Sequence, residues 1–200
     1  MTRPKARRRL PAVLTPQEED ALLGRFLPAN TPLRLRNLVM ARLMLNAGLR
    51  VSEVVNLKRR DLELTEGKLM VRQGKGGKDR TLWIGDDDLA LVRRWLTARP
   101  PGLRNDYVFV TGKGRKVPDR FLRYLVKRKA AEAGIDKDIH PHTLRHSFAT
   151  DLLRATGNIR LVQKALGHAS IATTEIYLHI HDEELMQAMK EMRHGQAHPG

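Results

Sequence analysis

Apolar residues recur at helical spacing along most of this chain and alternate over one short stretch. Thr15-Pro16-Gln17-Glu18 is a helix start, with an N-cap threonine, proline at the first helical position and acids in the first turn. That helix is expected to run to about Phe26, with a loop over Pro28 to Pro32. Leu35, Leu38, Val39 and Leu43 mark a second helix to Ala47, closed by Gly48 at the C′ position. A third, from Ser52 to Lys58, carries Val54, Val55 and Leu57. The period then changes. Leu69 and Val71 alternate, Gly74 to Lys78 is a glycine-rich turn, and Leu82 and Ile84 alternate again, which predicts a β-hairpin. Asp86 to Arg99 is the next helix, stopped by Pro100-Pro101-Gly102, and Tyr107 to Val110 is a short strand or extended segment that would bring the sheet to about three strands. Helices follow over Asp119–Ala133, Pro141–Ala155 and Asn158–Leu166, the last with Asn158 as N-cap and Gly167 past its end. Ser170–Leu178 and an amphipathic Glu183–Arg193 complete the pattern. The whole is α+β, predominantly α-helical with a small antiparallel sheet. One domain is expected over 15–194, after a basic tail (1–14) and before a loose end (195–200).

Composition narrows the function. Lys and Arg number 37 against 22 acids, a net charge of +15. Such a field draws polyanions and speeds their encounter, so nucleic acid is the default partner. Aromatics are only 4% of residues, which disfavours single-strand binding on stacked rings. The absence of cysteine excludes disulfides, thiolate metal sites and thiol catalysis, and it fits a reducing compartment. No apolar run approaches the roughly 20 residues of a membrane span, and no signal sequence follows Met1. The expected location is cytoplasmic, with the nucleoid.

Several side chains could serve phosphodiester chemistry, which needs cations around the nonbridging oxygens, a nucleophile in line and an acid for the leaving oxygen. Arg50 lies in the turn Gly48-Leu49-Arg50-Val51-Ser52-Glu53. It could offer its planar fork to a phosphate, but on this motif alone a surface pair with Glu53 is the favoured reading. His142 and Arg145 stand at i and i+3, on one face of the helix that Pro141 opens. Leu144, Phe148 and Leu152 are expected to take its buried face, leaving that pair away from the core. His146 reads as a packing histidine. His168 follows a helix cap. Among three tyrosines, Tyr124 and Tyr107 read as packing residues, and Tyr177, between Ile176 and Leu178, would on its own be read the same way.

Taken together, these segments match one pattern. Gly48–Glu53, the turn Gly74-Lys75-Gly76-Gly77-Lys78, Pro141-His142-Thr143-Leu144-Arg145-His146, Leu166-Gly167-His168 and Tyr177 occur in the order and spacing of the tyrosine recombinase (phage integrase) family. The resemblance spans about Thr15 to Asp182 and implies that family's DNA breaking-rejoining fold. It also implies roles. Tyr177 would be the nucleophile, forming a 3′-phosphotyrosyl link and freeing a 5′-hydroxyl. Arg50 and Arg145 would clamp the nonbridging oxygens, His168 would donate to the same phosphate, and His142 would serve as acid or base near the tyrosine. Lys75 would protonate the 5′-oxygen, with Lys78 as the alternative. Neither metal nor any other cofactor is implied.

The stretch Lys113–Lys129 holds eight Lys or Arg and one acid. By resemblance, this face would lie on duplex DNA. Lys78, Arg80, Lys113, Arg115, Lys116, Arg120, Arg123 and Lys127 are the expected DNA contacts, with a solvated charged face as the plain alternative. By the same resemblance, the final helix, with Leu185, Met189 and Met192 at helical spacing, would dock on a neighbouring protomer in a homotetramer on paired sites, with packing on its own domain as the alternative. Most members carry a core-binding domain before the catalytic one. Here a short basic tail precedes Thr15, so the chain is expected to be a small stand-alone form like the fimbrial switch invertases, or a catalytic fragment. An accessory DNA-bending protein or a second recombinase is a further expected partner. The competing readings are a non-catalytic DNA-binding regulator with the same fold and a strand-relaxing enzyme using the same chemistry.

Overall fold

The structure is a computed structural model, and it describes residues 12–72 and 79–167. Helix α1 (Pro16–Gly24) starts as its sequence dictates: the Thr15 hydroxyl accepts from the Glu18 N–H, and the Glu18 carboxylate accepts from the Thr15 N–H. Helix α2 (Pro32–Asn46) begins three residues before the expected Leu35, because Thr31 caps it and Pro32 is its first residue instead of the end of the loop. Helix α2 is nearly encased, burying Leu35, Leu38, Val39, Met40, Leu43 and Met44. Gly48, at φ +63°, turns the chain into α3 (Val51–Asn56).

The sheet has three antiparallel strands in the order β1 (Leu62–Glu63), β2 (Lys68–Val71) and β3 (Arg80–Trp83). Leu69 faces Leu82 and Val71 faces Arg80 across the β2–β3 pair, as the alternation predicts. Residues Tyr107–Val110 do not supply the third strand. They form single bridges, Lys58 with Tyr107 and Val110 with Lys116, while two residues after a 3₁₀ turn at Arg59–Asp61 pair with β2 instead. Val108, Phe109 and Val110 are nevertheless fully buried, with the Trp95 indole N–H donating to the Val108 carbonyl at 2.9 Å.

Helices α4 (Asp86–Ala98), α5 (Asp119–Glu132), α6 (Pro141–Thr156) and α7 (Ile159–Leu166) lie within a residue or so of their expected bounds. One apolar core runs from Leu14 through Leu144; a smaller one joins Ala149 and Leu153 of α6 to Val162 and Leu166 of α7. Helix α6 therefore has two buried sides. Phe148 and Leu152 belong to the smaller core and are only partly buried. This overturns the expectation that Arg145 stands clear of the core: it is 5% exposed. Tyr124 departs the other way, being 62% exposed on α5, and Tyr107 is half-buried beneath the Lys58 ammonium, 3.3 Å from its ring centre. Among the described residues no helix is long and apolar enough to cross a membrane. The expected helices at 170–178 and 183–193 lie outside the described residues.

Candidate active site and DNA interface

The site is organised by a carboxylate, Glu53, which sits on α3 one turn after Arg50. Its Oε2 accepts from the Arg50 backbone N–H at 2.8 Å and its Oε1 accepts from Arg50 Nη1 at 2.7 Å. From β3, Arg80 forks onto the same carboxylate, Nη1 to Oε1 at 2.9 Å and Nη2 to Oε2 at 2.8 Å. Arg145 of α6 brings a third guanidinium to within 3.7 Å. Burial alone would raise the Glu53 carboxyl, but hydrogen bonding and charge from Arg80, the Arg50 N–H and the charge on Arg145 outweigh it and hold it at about 2. Three guanidinium groups thus face one carboxylate, and the cluster keeps a positive surplus.

Arg145 also fastens the backbone. Its Nη1 donates to the Gly48 carbonyl and its Nη2 to the Leu166 carbonyl at 2.6 Å. Arg80 Nε donates to the neighbouring Ala165 carbonyl at 2.8 Å. Two arginines therefore hold the C-terminal end of α7 against the turn that presents Arg50. Gly167, at φ +63°, ends α7 directly before His168, and its α-carbon lies so near Arg80 that an added Cβ would be 2.9 Å from Arg80 Cδ.

His142 stands on the first turn of α6. Its imidazole is held below the ordinary histidine range, first by burial and then by the positive surroundings of His140, Arg123, Arg145 and Arg50. His140 caps the helix: its Nδ1 accepts from the Thr143 N–H at 3.2 Å, and its ring meets that of His142 edge-on with centres 6.0 Å apart. One turn on, burial pushes the His146 imidazole down to about 4, consistent with a packed, neutral ring.

Arg50, His142 and Arg145 are thus brought to one place. Lys75, Lys78, His168 and Tyr177 lie outside the described residues. Lys113, Arg115, Arg120, Arg123 and Lys127 are exposed, and Lys116 is half-buried with its ammonium 5.8 Å from the Tyr107 ring centre. Arg80 is the exception. Its charge groups it with the expected DNA contacts, yet its side chain is buried and committed to Glu53 and Ala165. The strand period carries that signal, since Arg80, Leu82 and Ile84 share one face. Residue order points to Glu53 only as a partner for Arg50; its two further arginines come from β3 and α6, far away in sequence.

The model of the phage integrase family matches residues 12–184. The chain belongs to that family. A tyrosine recombinase XerC from Alcanivorax borkumensis is 39% identical over 187 residues, covering 92% of this chain and 61% of its own length. A tyrosine recombinase from Thermosipho africanus is also 39% identical, covering 94% of this chain and 64% of that protein. The chain thus spans somewhat less than two thirds of these relatives. Among solved structures, the XerA recombinase superposes with a TM-score of 0.80 at 34% identity, covering 96% of this chain and 67% of that one. The XerH site-specific recombinase, in a post-cleavage complex with a palindromic difH substrate, gives 0.79 at 32% identity, covering 94% and 55%. The mostly helical domain with its three-stranded antiparallel sheet is the fold of these catalytic domains. These relatives are Xer and other tyrosine recombinases, and none is a fimbrial switch invertase.

Proposed function

We propose that this chain is the catalytic part of a tyrosine site-specific recombinase, which cuts and rejoins duplex DNA through a 3′-phosphotyrosyl link on Tyr177. The observation that carries this reading is the guanidinium cluster of Arg50, Arg80 and Arg145 around the carboxylate of Glu53. Its positive surplus suits a phosphodiester, whose nonbridging oxygens gain charge as a fifth oxygen adds to phosphorus. Arg50 and Arg145 are the residues assigned to those oxygens, and Arg80 is assigned to holding Glu53.

A tyrosine phenol, with an ordinary pKa near 10, is a modest nucleophile at neutral pH. It needs the phosphate neutralised and its proton removed. His142 suits the second task, because burial and the neighbouring cations favour its neutral, proton-accepting form. As the phenolate oxygen bonds to phosphorus, the bond to the 5′-oxygen breaks, and Lys75 supplies the proton that this leaving group takes. His168 donates to the same phosphate. Attack by another 5′-hydroxyl reverses the step and conserves the bond energy. The XerH structure, described as a post-cleavage complex with its difH substrate, supports duplex DNA with a specific site as the substrate class. Exchange between two duplexes calls for four active sites, which favours a homotetramer with the C-terminal helix docked in trans.

The test uses nicked duplexes drawn from DNA flanking the encoding gene, in which the cut strand loses its 5′-hydroxyl fragment by diffusion. A protein–DNA adduct that survives denaturing gels is expected, and its junction maps the site. Tight DNA binding with no adduct from any duplex would favour the non-catalytic regulator.

A further inference from the structure

Beside the guanidinium cluster lies a second cationic recess. It is a cleft of about 410 Å3 between α5 and the start of α6, walled by Arg123, Tyr124 and Lys127 on one side and by His140, Pro141 and His142 on the other. We infer that this cleft is a second phosphate seat, in which Arg123, Lys127 and His140 hold a backbone phosphate of the duplex neighbouring the one under attack. The inference rests on the reading that the chain acts on DNA, and it adds His140 to the residues that position the substrate.

Three observations support it. First, the hydrogen bonding fixes the His140 tautomer. A backbone N–H can only donate, so Nδ1, which takes the Thr143 N–H at 3.2 Å, is the bare nitrogen. With Nδ1 occupied by that contact, Nε2 is the ring nitrogen left to meet an anion. Second, Arg123 is close enough to contribute, with His140, to depressing His142. The seat and the guanidinium cluster therefore adjoin, with His142 between them. Third, the acid that lines the cleft competes weakly. Asp138 lies 3.8 Å from the Lys127 ammonium with both side chains more than three-quarters exposed, a pairing worth little in water and readily exchanged for a phosphate. Tyr124 also lines the cleft and is 62% exposed.

The test measures equilibrium binding of a short mixed-sequence duplex by the full chain over a range of salt. Arg123→Gln and Lys127→Gln are each expected to reduce the slope of log affinity against log salt by about 0.9, because each variant neutralises one phosphate fewer. His140→Asn keeps a good N-cap while removing the ring donor, and is expected to weaken binding by about tenfold. Because Arg123 and His140 would share a phosphate, the double variant should cost less than about twofold beyond the worse single variant. Lys113→Gln, on a separate loop, should combine additively with either. Full additivity of Arg123→Gln with His140→Asn, or an unchanged affinity for His140→Asn, would overturn the seat. Binding does not require cleavage. The seat can therefore fail while adducts still form, and adducts can fail while the coupling stands.

Discussion

Arg80 and Glu53 meet through two parallel hydrogen bonds of 2.9 and 2.8 Å, joining β3 to α3 with both side chains less than a tenth exposed. The Glu53 carboxylate also orients Arg50 and faces Arg145, so a structural pair sets the shape of the pocket proposed to take the phosphate. Glu53→Gln removes the negative charge that three guanidiniums face. It is expected to cost about 3 kcal/mol of stability, read from urea unfolding, since breaking one side of a buried pair strands the other. The pH dependence has a definite sign. Glu53 is depressed from 4.5 to about 2, so its contribution is present above pH 4.5 and is lost as pH falls toward 2. The Gln variant should lose that acid limb.

Gly48 is the second pressure point. It adopts φ +63°, and a Cβ there would stand 2.3 Å from the Phe148 ring. Gly48→Ala is expected to destabilise by about 2 kcal/mol through left-handed strain and displaced packing. Its carbonyl is also an acceptor for Arg145, so DNA cleavage should fall further than the stability loss explains. Thermal unfolding and single-turnover cleavage on the same samples check both parts.

Arg145→Lys tests whether the guanidinium fork itself is required. Lys has one nitrogen where Arg145 reaches the Gly48 and Leu166 carbonyls from two. Cleavage is expected to drop by about 10²-fold or more, in line with losing a preorganised donor at a reacting phosphate. Binding of intact duplex, which the proposed function assigns mainly to the exposed cations of α5, should change by less than about tenfold. Equal losses in binding and cleavage would argue against a role in the reacting pocket.

Apart from the guanidinium cluster, Glu19 of α1 interacts with Asp151 of α6. Burial first, and then the Asp151 charge, raises Glu19 from 4.5 to about 7, and its Oε1 is buried without a hydrogen-bond partner among the described residues. A raised carboxyl favours the protonated fold, so stability should decline as pH rises from about 4.5 to 7. Glu19→Gln is expected to remove that decline and to stabilise the protein by about 1 kcal/mol at pH 8, after allowance for partial solvent screening. Urea midpoints at pH 5 and pH 8 decide it. An unchanged difference between the two pH values would contradict the pairing.

Much of this molecule was legible from residue order alone. Thr15, Asn158, Gly48 and Gly167 act locally, so the helix starts and stops they encode survive into the structure. The Leu69–Leu82 register followed from simple alternation. Long-range decisions were not legible. The two-residue strand β1 has no pattern of its own and pairs only because the 3₁₀ turn delivers it to β2. The burial of Arg145 depends on α7 folding back over α6 to make a second core, which no property of α6 announces. Charge alone misplaces Arg80, although its position in the alternation points inward.

The most direct measurement is to identify the residue that carries DNA. Wild type and Tyr177→Phe are incubated side by side with a nicked duplex that yields an adduct, and the trapped protein is digested with trypsin and nuclease. The predicted result is a nucleotide-bearing peptide from the wild type that spans Ala165 to Lys190, whose single tyrosine is Tyr177, with no adduct from the variant. A DNA-linked peptide containing Tyr107 or Tyr124, or an adduct that persists in Tyr177→Phe, would contradict it.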